Sequence, residues 1–98
     1  MIIVTGSAVG SEDTIDRLLE VSLGHVRRSR QEPGCVSHAV HRDVENPLRL
    51  VFFEEWSDVD ALRTHFGVPA SSEFVQALAD LATEAPTMRV YEATKTRV

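Results

Sequence analysis

Cys35-Val36-Ser37-His38-Ala39-Val40-His41-Arg42-Asp43-Val44-Glu45-Asn46-Pro47-Leu48-Arg49-Leu50-Val51-Phe52-Phe53-Glu54-Glu55-Trp56 holds two β-forming runs around a turn. Side chains alternate along a strand, so Cys35 to Asp43 presents Val36, His38 and Val40 on one face. Cys35, Ser37, Ala39 and His41 take the other. Leu48 to Trp56, with Val51, Phe52, Phe53 and Trp56, is a second strand, and Glu45-Asn46-Pro47 supplies turn chemistry between them. Two strands this close in sequence pair as an antiparallel hairpin.

Upstream of the hairpin, Pro33-Gly34 stops a helix whose apolar stripe is Ile15, Leu18, Leu19, Ser22 and Val26. Ser11 is the expected N-cap, with Glu12 and Asp13 in the first turn. Gly10 separates this helix from an apolar strand, Ile2 to Val9. Downstream, Ser57 and Asp60 have capping-box spacing and open a helix carrying Val59, Leu62 and Phe66. Gly67 and Pro69 are expected to end it. Ser71 or Ser72 then caps another helix, with Phe74, Val75, Leu78, Leu81 and Ala82 on its apolar side and Pro86 as its stop. Thr87 to Thr96 reads as a last strand, Met88 and Val90 opposite Arg89 and Tyr91. Strand, helix, strand, strand, helix pair, strand is the split βαβ order of ferredoxin-like folds. The expectation is an α+β chain with an antiparallel sheet, one domain over residues 1–98.

Apolar residues at 43 % and charged residues at 26 % of 98 place the chain among globular rather than disordered proteins. A net charge of −5 disfavours nucleic acid as a partner unless basic residues gather on one face. The dense basic cluster, Arg27, Arg28 and Arg30, falls at the end of the first helix, where cations complement the macrodipole; a solvated helix end is expected. Cys35 is the lone cysteine, so no intrachain disulfide forms. Neither a signal peptide nor a run of ~20 apolar residues is present, so a cytoplasmic location and no membrane contact are expected. A domain this small gains from burying surface against a second chain.

Glu54 shares a strand face with Leu50, Phe52 and Trp56. A carboxylate there is costly to desolvate, and burial would raise its pKa; it is a proton acceptor, a substrate hydrogen-bonding group, or paired with an arginine in this chain or across a dimer. His65 lies three residues after Leu62, near the inner side of its helix. Its imidazole is either a base working near neutral pH or a helix-end group held by a carbonyl. His38 lines a pocket or packs in the core, whereas His25 and His41 are expected at the surface. Trp56 is expected to pack and can stack on a planar ligand. Cys35 reads as a small buried hydrophobe. His38 and His41 face opposite sides of their strand, and no H-x-x-x-H or H-E-x-x-H motif occurs, so no metal site is expected. No G-x-S-x-G elbow or G-x-G-x-x-G loop is present.

Two segments carry a family likeness. Ser29-Arg30-Gln31-Glu32-Pro33-Gly34-Cys35, continuing through His38 to His41-Arg42-Asp43, is one; Phe53-Glu54-Glu55-Trp56 followed by Ala61-Leu62 and His65 is the other. Together they resemble the E-P-G-C strand entry and the E-x-W…A-L-x-x-H segment of the antibiotic biosynthesis monooxygenase family. The resemblance implies a dimeric α+β barrel, a homodimer of ferredoxin-like protomers. The family spans oxygenases of aromatic polyketides, quinol monooxygenases, haem-degrading enzymes and a sugar-derivative isomerase, so it implies architecture more firmly than reaction. It implies oxidation of a small aromatic, phenolic or quinol-like molecule by O2 without a cofactor. His65 and Glu54 would be catalytic, with Trp56, His38, Phe52, Leu62 and Phe74 around the substrate. Leu78 stands where haem-degrading relatives place an iron-ligating histidine, and leucine cannot ligate iron. Glu73 stands where many quinol-oxidising relatives have histidine. Isomerase or decarboxylase chemistry on the same scaffold, and a non-catalytic small-molecule-binding dimer, are the alternatives.

Overall fold

The computed structural model describes residues 1–98. Its elements are β1 (Ile2–Val9), α1 (Ile15–Ser29), β2 (Cys35–Arg42), β3 (Arg49–Trp56), α2 (Val59–Gly67), α3 (Pro69–Leu81) and β4 (Thr87–Glu92). The four strands form one sheet in the order β2-β3-β1-β4, every neighbouring pair antiparallel. This is the ferredoxin-like α+β fold anticipated from element order.

All three helices pack on one face of the sheet. Ala8, Leu50 and Phe52 meet Ile15, Leu18 and Val26 of α1, with Phe74, Leu78 and Leu81 of α3 closing the cluster. Nearer the other end, Ile2, Val4 and Trp56 pack on Leu62 of α2. The opposite face carries Phe53 and Tyr91, 41 % and 48 % exposed, so a large apolar fraction of it is uncovered. No helix is long and apolar enough to cross a membrane.

Local structure departs from the expected elements at five places, each for an identifiable reason. Ser11 does not cap α1. The Thr14 hydroxyl accepts the Ser11 N–H at 2.9 Å and the Ser11 carbonyl accepts from Thr14 and Ile15, so a turn precedes the helix. Asp58, not Ser57, caps α2: its carboxylate accepts the Ala61 N–H at 2.8 Å, and a full negative charge suits a helix N-terminus better than a hydroxyl. Pro69 opens α3 instead of only ending α2, since proline at N1 loses no helical hydrogen bond; extended Val68 joins the two helices, and neither Ser71 nor Ser72 caps. β4 stops at Glu92 rather than Thr96, because its ladder with β1 ends at the Ile2–Glu92 pair and the Ala93 N–H closes on the Met1 carbonyl at 2.9 Å. Finally, β2 bulges between Cys35 and Ser37. The extra residue, Val36, is 55 % exposed, and Cys35 turns in beside Trp56 on the face of His38.

Candidate active site

β3 sends Phe52, Glu54 and Trp56 toward the helices, as strand parity requires. The indole N–H of Trp56 donates to Glu54 Oε1 at 2.8 Å, and His38 Nε2 lies 3.2 Å from the same oxygen. That approach is too oblique for a hydrogen bond, so both nitrogens of the buried His38 ring lack a hydrogen-bond partner. No arginine pairs with Glu54. Burial pushes its carboxyl up, but the His38 ring, the Trp56 N–H and the field of His65 together hold it below the ordinary carboxylate value. Glu54 is therefore an anion at neutral pH, and the expected upward shift is reversed.

His65 sits on the inner side of α2, 2 % exposed, with its ring 4.6 Å from that of Trp56. Its Nδ1 is 2.7 Å from Glu32 Oε1. A carboxylate only accepts, so Nδ1 carries the proton and Nε2 keeps a lone pair in the neutral ring. Glu32 Oε2 is buried without a partner, which leaves His65 as the sole hydrogen-bonded side chain of that carboxylate. His65 is held by a carboxylate rather than by a backbone carbonyl. The Pro33-Gly34 turn delivers Glu32 there. Gly34 has φ +82°, and a Cβ on it would lie 2.5 Å from Ala61 Cβ and 2.8 Å from Ser57 Oγ, so only glycine lets the loop settle against α2.

His25 was expected at the surface; it is 5 % exposed and stacks on Phe74 at 3.9 Å with the rings nearly parallel. One turn of helix places Arg28 beside it, Arg28 Nη2 lying 2.8 Å from His25 Nδ1. Burial first, then the charges of His38, His65 and Arg28, pull His25 down to about 3, so it is neutral at working pH. The basic helix end is likewise more than a solvated tip, since Arg30 Nε donates to the His38 carbonyl at 2.8 Å. His41 is exposed, as anticipated. Burial, followed by the charges of Glu54 and Glu32, pushes the Cys35 thiol above its ordinary pKa, which makes it a poor nucleophile.

A cavity of about 340 Å³ lies between β1, β3, α2 and α3, with His25 of α1 and Met88 of β4 at its edges. His25, His65, Glu54, Phe52 and Phe74 reach its wall. Exposed Phe66, Val75 and Met88 also line it and give it an apolar rim. Gly6 contributes no side chain at its floor. Trp56, His38 and Leu62 are buried behind the wall rather than part of it. Of the residues singled out from sequence, His65, Glu54, Phe52 and Phe74 thus converge on one hollow, and Trp56 and His38 support them from behind.

His25, His38 and His65 each bring a nitrogen within 4.8 Å of a nitrogen of the others, a grouping that sequence spacing did not reveal. Three histidines at this separation have the composition of a transition-metal site. Arg28 works against that use. A guanidinium donates and never accepts, so Nδ1 of neutral His25 must offer its lone pair to Arg28 and Nε2 must carry the proton. His25 then has no free lone pair for an ion while Arg28 is in place.

Residues 1–86 match the family described as antibiotic biosynthesis monooxygenase. An uncharacterized Synechocystis protein, sll1783, is 30 % identical over 96 residues, which are 98 % of this chain and 65 % of that protein. The chain therefore spans less than two thirds of that relative's length. A proposed antibiotic biosynthesis monooxygenase from Deinococcus radiodurans superposes with a TM-score of 0.95 at 26 % identity, covering 100 % of this chain and 97 % of that one. Rv0793 from Mycobacterium tuberculosis shares the fold at a TM-score of 0.90 and 21 % identity, covering 99 % and 98 % of the two chains.

Proposed function

Because this chain belongs to the antibiotic biosynthesis monooxygenase family, we propose that it oxygenates a small phenolic, anthrone or quinol-type molecule with O2 and without a bound cofactor. The observation that carries this reading is the Glu32–His65 pair, 2.7 Å apart, at the wall of an apolar cavity. Nε2 of His65 takes the proton of the substrate hydroxyl or activated C–H, and the Glu32 carboxylate steadies the imidazolium that results. The anion left behind is electron-rich enough to reduce O2 directly. For an anthrone-type methylene, two hydrogens leave and one oxygen atom enters as a carbonyl, while the second oxygen departs as water. Glu54, anionic and fixed by Trp56, orients the substrate or accepts a second hydroxyl. Phe52 and Phe74 give planar contact, and exclusion of water strengthens each of these polar interactions.

Homodimer formation belongs to the same proposal. The uncovered sheet face around Phe53 and Tyr91 is the surface that a second copy would bury.

Oxygen uptake with a panel of anthrones and quinols, with His65→Ala as control, tests the reaction. The expected result is uptake by the wild-type protein and a fall of ~10²-fold or more in the variant, the usual contribution of a positioned base. Product formed equally well without oxygen would instead point to isomerase or decarboxylase chemistry, and tight binding without turnover to a carrier.

A further inference from the structure

His25 is one of the polar side chains on the cavity wall that the reaction above leaves idle. Its Nδ1 is occupied by Arg28 at 2.8 Å, which requires the Nε2–H tautomer, and its Nε2 has no hydrogen-bond partner within the chain. His65 is the mirror case. Glu32 occupies its Nδ1 as an acceptor and leaves Nε2 with a lone pair. Two imidazoles of opposite polarity thus border the same hollow, one a fixed donor and the other a fixed acceptor. Their ring centroids are 5.2 Å apart, and a nitrogen of each comes within 4.8 Å of the other ring's. The nitrogen left open on each ring is Nε2, and one oxygen at ordinary hydrogen-bond lengths spans nitrogens up to about 5.6 Å apart.

We propose that His25, held as its Nε2–H tautomer by Arg28, is a substrate-binding donor that takes the same substrate oxygen whose proton passes to His65. This rests on the reading of His65 as base and specifies the class of substrate: a hydroxyl acidic enough to bind as its oxyanion, such as a phenol or enol. In the step, the substrate O–H bond breaks and its proton moves to His65 Nε2. The electron pair stays on oxygen, which then accepts the His25 N–H. No electron is transferred. Neutral histidine suits this task, since an imidazolium would give its proton back to the oxyanion. Arg28 acts only through His25, as a positioning residue. The stack on Phe74 keeps the ring plane in place.

Para-nitrophenol is a suitable probe, because its absorption reports whether it binds as phenol or phenolate. The wild-type protein is expected to bind it with a larger ionised fraction than free probe at the same pH. His25→Phe keeps the stack on Phe74 and removes the donor; it should bind at least ~10-fold more weakly and with less ionisation, the effect of losing a hydrogen bond to a charged group. Equal affinity and ionised fraction in His25→Phe and wild type would overturn the assignment of His25, while the base reading would survive if His65→Ala still lost ionisation. Ionisation retained in His65→Ala but lost in His25→Phe would remove His65 as base and keep His25 as donor. Failure of the wild-type protein to bind the probe would overturn the proposal. Histidine nitrogen NMR of the unliganded wild type gives a second check that needs no variant to fold. The Nε2–H tautomer of His25 is expected, with Arg28→Met giving a mixture, and an Nδ1–H tautomer in the wild type would overturn the proposal.

Discussion

The Glu32 carboxylate fixes which nitrogen of the His65 ring is protonated and, in the proposed reaction, would stabilise the cation formed when the other takes a proton. Glu32→Gln should leave the fold intact yet reduce turnover by ~10²-fold, and KM should move far less than kcat. A loss confined to KM would show that Glu32 merely shapes the cavity. His25 provides a residue-scale prediction in stability. Its pKa is about 3 in the folded chain against an ordinary 6.5, so between these values the unfolded chain binds more protons. Stability is therefore complete above pH 6.5 and declines as pH falls toward 3, at up to ~1.4 kcal/mol per pH unit for one such group. Glu54, lowered in the folded chain, adds a loss in the same direction below the carboxylate range. Thermal unfolding from pH 7 to pH 4 should show this slope, and His25→Phe should flatten it. Glu54 and His65 were legible as candidates because parity and helical spacing place them inward. Glu32 lies within the first motif, but nothing in linear spacing says that residue 32 reaches residue 65. His25 reads as a surface residue when the stripe of α1 is limited to apolar residues, although position 25 falls between Ser22 and Val26, both buried, on that same stripe.

At the scale of elements, the turn between α1 and β2 positions the site. Gly34 has no Cβ and sits at a positive φ, and its carbonyl accepts the Ser57 N–H at 2.8 Å, so the loop is tied to the start of α2. Gly34→Ala places a methyl against Ala61 and strains the backbone. It should cost roughly 1–3 kcal/mol in denaturant unfolding and disturb the Glu32–His65 contact. Ala61→Gly in the same chain should recover only the steric part, because the positive φ remains unfavourable for alanine. Full recovery would mean that φ contributes nothing. The hairpin of β2 and β3 and the parity of their strands followed from turn chemistry and alternation, with one exception. The bulge at Val36 is not legible, because an unpaired residue looks like any other in an alternating run, and it puts Cys35 on the face of His38 rather than the face that simple alternation gives. Helix starts were misplaced for a related reason. Ser11, Ser57 and Ser71 all belong to cap-forming types, but Thr14, Asp58 and Pro69 have the geometry that starts each helix.

The whole molecule is two layers, helices packed on one sheet face, with Phe53 and Tyr91 exposed on the other and β4 exposed along its length. A homodimer through that face should give a sedimentation mass near twice 10.9 kDa, and Phe53→Lys should shift it toward the monomer. A wild-type mass at 10.9 kDa would remove the dimer from the account and leave the protomer fold untouched. Element order and the two motif segments carried the architecture, since both depend on patterns that run along the chain. The cavity does not emerge the same way: its walls come from β1, α1, β3, α2, α3 and the edge of β4, and Trp56 and His38 fall behind the wall because the helix layer closes over them. The claim on which all scales depend is that this hollow turns a bound hydroxyl-bearing aromatic into an anion that O2 attacks. Mass spectrometry of product formed under isotopically labelled dioxygen, with a chelator present, measures it directly. The prediction is one labelled oxygen atom in each product molecule, lost with His65→Ala. Unlabelled product, or labelled product in equal yield from His65→Ala, would contradict it.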